Sequence, residues 1–105
     1  MIDKQKAINL SKAVEYQEGS VVSKELLKSK NDNITLFAFD KGQGLNEHSA
    51  PFDAFVYIVD GEAEITILGN VHLLKVGEMI IMPADQPHSL KAIERFKVLL
   101  IMIRS

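Results

Sequence analysis

The sequence contains no cysteine, no tryptophan and only three prolines in 105 residues. Without cysteine there is no disulfide framework, thiolate zinc site, thiol nucleophile or thiol redox chemistry. A dominant charge is also missing: twelve Lys and Arg stand against fourteen Asp and Glu, a net charge of −2. Nucleic-acid binders carry a basic face, and only Lys24, Lys28 and Lys30 cluster here, so no nucleic-acid partner is expected. Long apolar runs are absent as well. The longest is Val98 to Ile103, whereas a membrane span needs about 18–20 residues, so no membrane partner is expected. The opening residues Met-Ile-Asp-Lys-Gln-Lys lead into no apolar block of the signal-peptide kind, and the expected location is the cytoplasm.

The rest of the composition, 47% hydrophobic and 25% charged, is that of one ordinary globular domain. Five of the six glycines and all three prolines fall between residues 42 and 87. That is the punctuation of short strands and tight turns. Residues 1–19 are polar and weakly patterned and read as an N-terminal extension of the same domain, with the strand signals in 20–105. Strands are expected at Val21 to Leu27, Ile34 to Phe39, Ala54 to Val59, Ala63 to Leu68, His72 to Val76, Met79 to Met82, His88 to Ala92 and Phe96 to Ile103. Asp60-Gly61 and Gly69-Asn70 supply the positive φ angles of hairpin turns. Eight short antiparallel strands predict an all-β sandwich or barrel. Leu36 to Phe39, Met79 to Met82 and Val98 to Ile103 are apolar on both faces. A sheet with one wet face should alternate, so the expected cover is a second subunit, giving a homodimer.

The chemistry available lies in three histidines. His48 follows Gly42 by five intervening residues, and Gly61 lies downstream; Gly77 leads by five residues to Pro83, with His88 after Pro83-Ala84-Asp85-Gln86-Pro87. In these two segments the sequence resembles the small bacterial cupins. Their first motif runs Gly, five residues, His-x-His, three or four residues, Glu, six residues, Gly; their second runs Gly, five residues, Pro-x-Gly, two residues, His, three residues, Asn. The resemblance covers roughly residues 34–103 and implies a small antiparallel double-stranded β-helix, or jelly-roll barrel. It also implies a pocket inside that barrel, where the family's site resembles three His and one Glu converging on a divalent ion.

The departures bear on function. The second His position is Ala50, the Glu position is Ala54, the second-motif Gly is Asp85 and its Asn is Ala92. Only His48 and His88 remain as metal ligands, and iron or manganese sites require three or more. Asp53 is one residue from the lost Glu, and side chains alternate along a strand, so it should point away unless a bulge near Pro51 turns it. The expected cofactor is therefore at most a weakly held divalent Zn, Ni, Fe, Mn or Cu ion. Strand parity and motif register put His48, Ala50, Ala54 and Val56 on one cavity with His88, Leu90 and Ala92. Phe37, Phe39 and Met82 are expected to close its floor. His72, on a hairpin arm, reads as an exposed surface residue. Ser49 and Ser89 each follow a His, but neighbours on a strand face opposite ways, which excludes a nucleophile–base pair.

Three functions fit this reading. The first is a barrel that holds a small organic ligand between two imidazoles in an apolar interior. The second is a metal-dependent enzyme of the dioxygenase or isomerase class, as the resemblance implies. The third is a structural or sensory dimer with a vestigial pocket.

Overall fold

The β-branched and aromatic segments do form strands, as their fit to a pleated, half-buried surface requires. A computed structural model describes residues 3–104. Its strands are β1 (Val21–Lys28), β2 (Asn33–Phe39), β3 (Gly44–His48), β4 (Asp53–Ile67), β5 (Asn70–Lys75), β6 (Met79–Met82), β7 (His88–Lys91) and β8 (Phe96–Ile103). A single 3-10 turn, Leu10–Lys12, precedes them. All pairings are antiparallel. One sheet runs β1-β2-β8-β4-β6 and the other β5-β4-β7-β3, so β4 belongs to both. The fold is the all-β, curled antiparallel barrel expected of the sequence.

The double membership of β4 corrects one expectation. Asp60-Gly61 is not a hairpin turn, because the strand continues through it from Asp53 to Ile67. The register with β8 shifts between Ile58 and Asp60, which marks a bulge that bends β4 from one sheet into the other. Gly61 has φ of +73°, and a Cβ there would sit 2.0 Å from the Arg95 carbonyl oxygen. The same positive φ that suits a two-residue turn serves a bulge. The other reversal is present one residue early: Leu68 (φ +50°) and Gly69 (φ +80°) are the turn, with Ile67 opposite Asn70. Two expected strands thus merge into β4, while β3 was not expected at all.

The inner faces of the two sheets enclose the core. Phe39, Val56, Ile58, Ile65 and Phe96 are fully buried there, with Phe39 and Phe96 stacked at 4.6 Å. A second apolar layer lies outside the larger sheet, where Val14 packs with Leu26, Leu36 and Ala38 under the N-terminal segment. That segment covers only part of this outer face. Phe55, Tyr57, Leu99 and Ile101 remain half-buried, and Met79, Ile81 and Ile103 are 43%, 43% and 49% exposed.

Candidate functional site

His48 on β3 and His88 on β7 are direct cross-strand partners. Both side chains border one cavity, His88 buried and His48 exposed at its rim. Their rings meet edge to face with centroids 4.4 Å apart, and the two Nε2 atoms are 3.2 Å apart. The His48 Nδ1 lies 2.9 Å from the Asn46 carbonyl oxygen, and the His88 Nδ1 lies 3.2 Å from that of Gln86. A carbonyl oxygen only accepts, so the hydrogen-bond network assigns the N–H to Nδ1 in each ring. Two neutral rings of that tautomer present two Nε2 lone pairs to one another. The arrangement calls for something electron-poor between or beside them: a proton, a ligand's donor group or a metal ion. Two nitrogens 3.2 Å apart, each about 2.1 Å from one ion, would subtend roughly 100° at it, an ordinary angle between neighbouring ligands.

Burial holds the His88 imidazole below its ordinary pKa, assisted by repulsion from His48 and opposed by the Gln86 carbonyl. His88 is therefore a neutral base near pH 7. The loop that delivers it contains Asp85 at φ +63°, a left-handed conformation for which the family's second motif has Gly. Aspartate tolerates that region better than most residues.

The imidazole pair forms the polar end of a cavity of about 70 Å³ that is otherwise almost wholly apolar. Of the expected lining residues, Phe37, Phe39, His48, Ala50, Ala54, Met82, His88 and Leu90 border it. Val56 and Ala92 do not; both are buried in the adjoining core. Leu45, Phe52, Val98, Leu100 and Met102 complete the wall and were not expected. Leu45 comes from the unexpected strand β3. Val98, Leu100 and Met102 come from a strand whose unbroken apolar run hides which parity faces inward. His72 is exposed on β5, outside the cavity.

A model of the cupin domain family matches residues 35–104. The chain belongs to the cupin family. Among solved structures, this cupin is similar to a conserved protein of unknown function from Streptococcus pyogenes, at 38% identity over 99% of this chain and 91% of that one, with a TM-score of 0.93. A cupin 2 conserved barrel domain protein from Leptotrichia buccalis is 43% identical over 91% of this chain and 47% of that one, with a TM-score of 0.88. A cupin superfamily protein from Desulfitobacterium hafniense is 28% identical, covering 99% and 95%, at 0.92. No curated protein matches the chain. Among the described residues, no helix is long and apolar enough to cross a membrane.

The donor set of the family's divalent site does not fit this cupin. Ala50 and Ala54 stand in the cavity wall where an imidazole and a carboxylate would be needed. Asp53 does not substitute: it is exposed, and its Oδ1 accepts the Ala84 N–H at 2.8 Å. Glu47 is exposed as well. Among the described residues no three His, Cys, Asp or Glu side chains gather closely enough to hold an ion.

Proposed function

We propose that this cupin binds a small organic molecule in the cavity between its sheets, anchored by His48 and His88, and holds divalent ions only weakly there. The observation that carries the reading is the imidazole pair: two Nε2 atoms 3.2 Å apart at one end of an apolar cavity. An apolar enclosure with a few convergent polar groups is the usual make-up of a small-molecule site. Its size favours a compact guest, since an apolar cavity of about 150 Å³ takes up benzene and this one is about 70 Å³. A metal-dependent enzymatic role would need the ligands that Ala50 and Ala54 lack.

Calorimetry tests the pairing of the two histidines. Wild-type protein should bind Zn(II) weakly, whereas A50H combined with A54E should bind it tighter by orders of magnitude, because three His and one Glu would then converge. No gain in the double variant would show that His48 and His88 do not share a site. Native mass spectrometry of protein purified without dialysis is expected to show an added small mass that A54F abolishes by filling the cavity. An A54F protein that keeps the added mass would remove the cavity as its location.

The same proposal includes a homodimer across the uncovered outer face of the larger sheet. Phe55, Tyr57, Met79, Ile81, Ile101 and Ile103 alternate outward on β4, β6 and β8 in register with one another. The N-terminal segment already covers the neighbouring part of this face, so the remainder is the area a second copy would take. A stable interface buries about 800 Å² per partner, and a face of this kind left wet is an aggregation hazard.

A further inference from the structure

We infer that the cavity is a soft-metal site in which His48, His88, Met82 and Met102 hold one Cu(I) ion. The inference rests on the imidazole pair facing the cavity, as in the proposed function, and adds the sulfur half of the site. Ala54 is the cross-strand partner of Met82 on β6 and equally of Met102 on β8. The three residues form one row across the sheet, and all three line the cavity. The position where the family's motif has a carboxylate thus carries only a methyl group, with a methionine paired to it on each neighbouring strand.

Three physical consequences point the same way. The first is donor softness: imidazole nitrogen and thioether sulfur favour Cu(I), while the carboxylate oxygen preferred by Mg and Mn is absent from the lining. Charge is the second. Every donor is neutral, so the bound ion keeps its charge in an apolar cavity, where a single positive charge is far less costly to bury than a double one. The third is orientation. Both Nδ1 atoms are engaged by backbone carbonyls, the outer contact that fixes ligating histidines with Nε2 toward a metal. The methionine side chains have three rotatable bonds and a polarizable sulfur, which lets them close on an ion without moving the strands. Met79 lies outside the site, because it alternates outward on β6 and is 43% exposed.

The test is an anaerobic titration of the full chain with Cu(I) against a chromogenic Cu(I) chelator, beside a matched titration with Zn(II). One equivalent of Cu(I) should bind at least ~100-fold tighter than Zn(II). M82L and M102L keep side-chain volume and fold. Each should weaken Cu(I) binding roughly tenfold or more and change Zn(II) binding less than about twofold. X-ray absorption should show sulfur in the copper shell of the wild type and not in the M82L/M102L double variant. Cu(I) binding no tighter than Zn(II), or unaltered by both leucine variants, or a shell without sulfur, would overturn the assignment. In those cases the imidazole reading still stands if H48A or H88A abolishes the metal binding that remains. If neither histidine variant alters it, both readings fall together.

Discussion

Tyr16 donates its hydroxyl to the Asp60 carboxylate across 2.6 Å, tying the N-terminal segment to the bend in β4. The Arg95 guanidinium lies 4.4 Å and the Lys97 ammonium 4.8 Å from the centroid of the same ring, and Lys97 also donates to the Ser11 carbonyl. One aromatic side chain therefore joins an anion and two cations from the barrel.

Removing that hydroxyl should loosen the segment. Y16F keeps the ring over both cations but deletes a hydrogen bond to a charged acceptor, an expected loss of about 1.5–3 kcal/mol. Burial and the Asp60 hydrogen bond and charge push the Tyr16 pKa above the usual tyrosine range, against a smaller pull from Arg95. A raised folded pKa means that this stabilisation is complete below the unfolded value near 10 and is lost as pH rises beyond it. Urea melts from pH 8 to 11 should show wild type losing its advantage over Y16F at the alkaline end. A constant gap would mean that Tyr16 ionises normally.

His88 gives the opposite slope. Its depressed pKa favours the neutral ring in the fold, so stability is present above the unfolded value near 6.5 and is lost as pH falls. H88Q should flatten the dependence between pH 7.5 and 5. Denaturation midpoints of the two proteins across that interval decide it.

At the β4 bend only glycine fits. A Cβ on residue 61 would meet the Arg95 carbonyl oxygen at 2.0 Å and the Phe96 Cα at 2.9 Å, with φ already positive. G61A should cost about 3 kcal/mol or more, because neither contact is with a flexible side-chain end. A midpoint within experimental scatter of wild type would show that the two strands part easily.

Leu68 is the reverse case. It occupies the first central position of a hairpin turn at φ +50° and is 56% exposed. L68N puts Asn-Gly at a turn that prefers it and removes an exposed apolar side chain. It should stabilise by about 1 kcal/mol, read as a higher thermal midpoint.

The proposed dimer is checked by sedimentation. Wild type should run as a dimer at micromolar concentration, and I81K should run as a folded monomer, since it places a charge beside Phe55 among the exposed apolar residues of the uncovered face. A wild-type monomer at high micromolar concentration would refute the interface.

Much of the barrel was legible because its information is local. Ala54, Val56 and Ile58 alternate with half-exposed neighbours and are buried together, as period two demands. The pairing of His48 with His88 was legible from family spacing and not from strand reading. Strand β3 was not, because Gly-Leu-Asn-Glu-His holds no β-branched residue and is exposed throughout; its strand state comes from pairing with β7. Asp60-Gly61 misled because a bulge and a turn ask the same conformational freedom of a glycine. The inward position of Met102 is not legible in the sequence, because the run from Leu99 to Ile103 is apolar at every residue and carries no parity. The pairings of Phe37 with Val98 and of Ala54 with Met102 fix which of its residues face inward.

The place of β8 governs how the chain can be made. It is synthesised after every other strand described, yet it lies between β2 and β4 and joins the first hairpin to the rest of its sheet. While residues 96–103 are still inside the ribosome, the β1–β2 hairpin has no strand to join it to β4, and the inward side of β2 lacks Phe96 and Val98 to close against. Contacts so distant along the chain must wait for loop closure, and folding of such β proteins takes milliseconds to seconds. A nascent chain stalled before Phe96 would therefore present Phe37 and Phe39 without the Phe96 and Val98 side chains they pack with, a substrate for chaperones until β8 emerges.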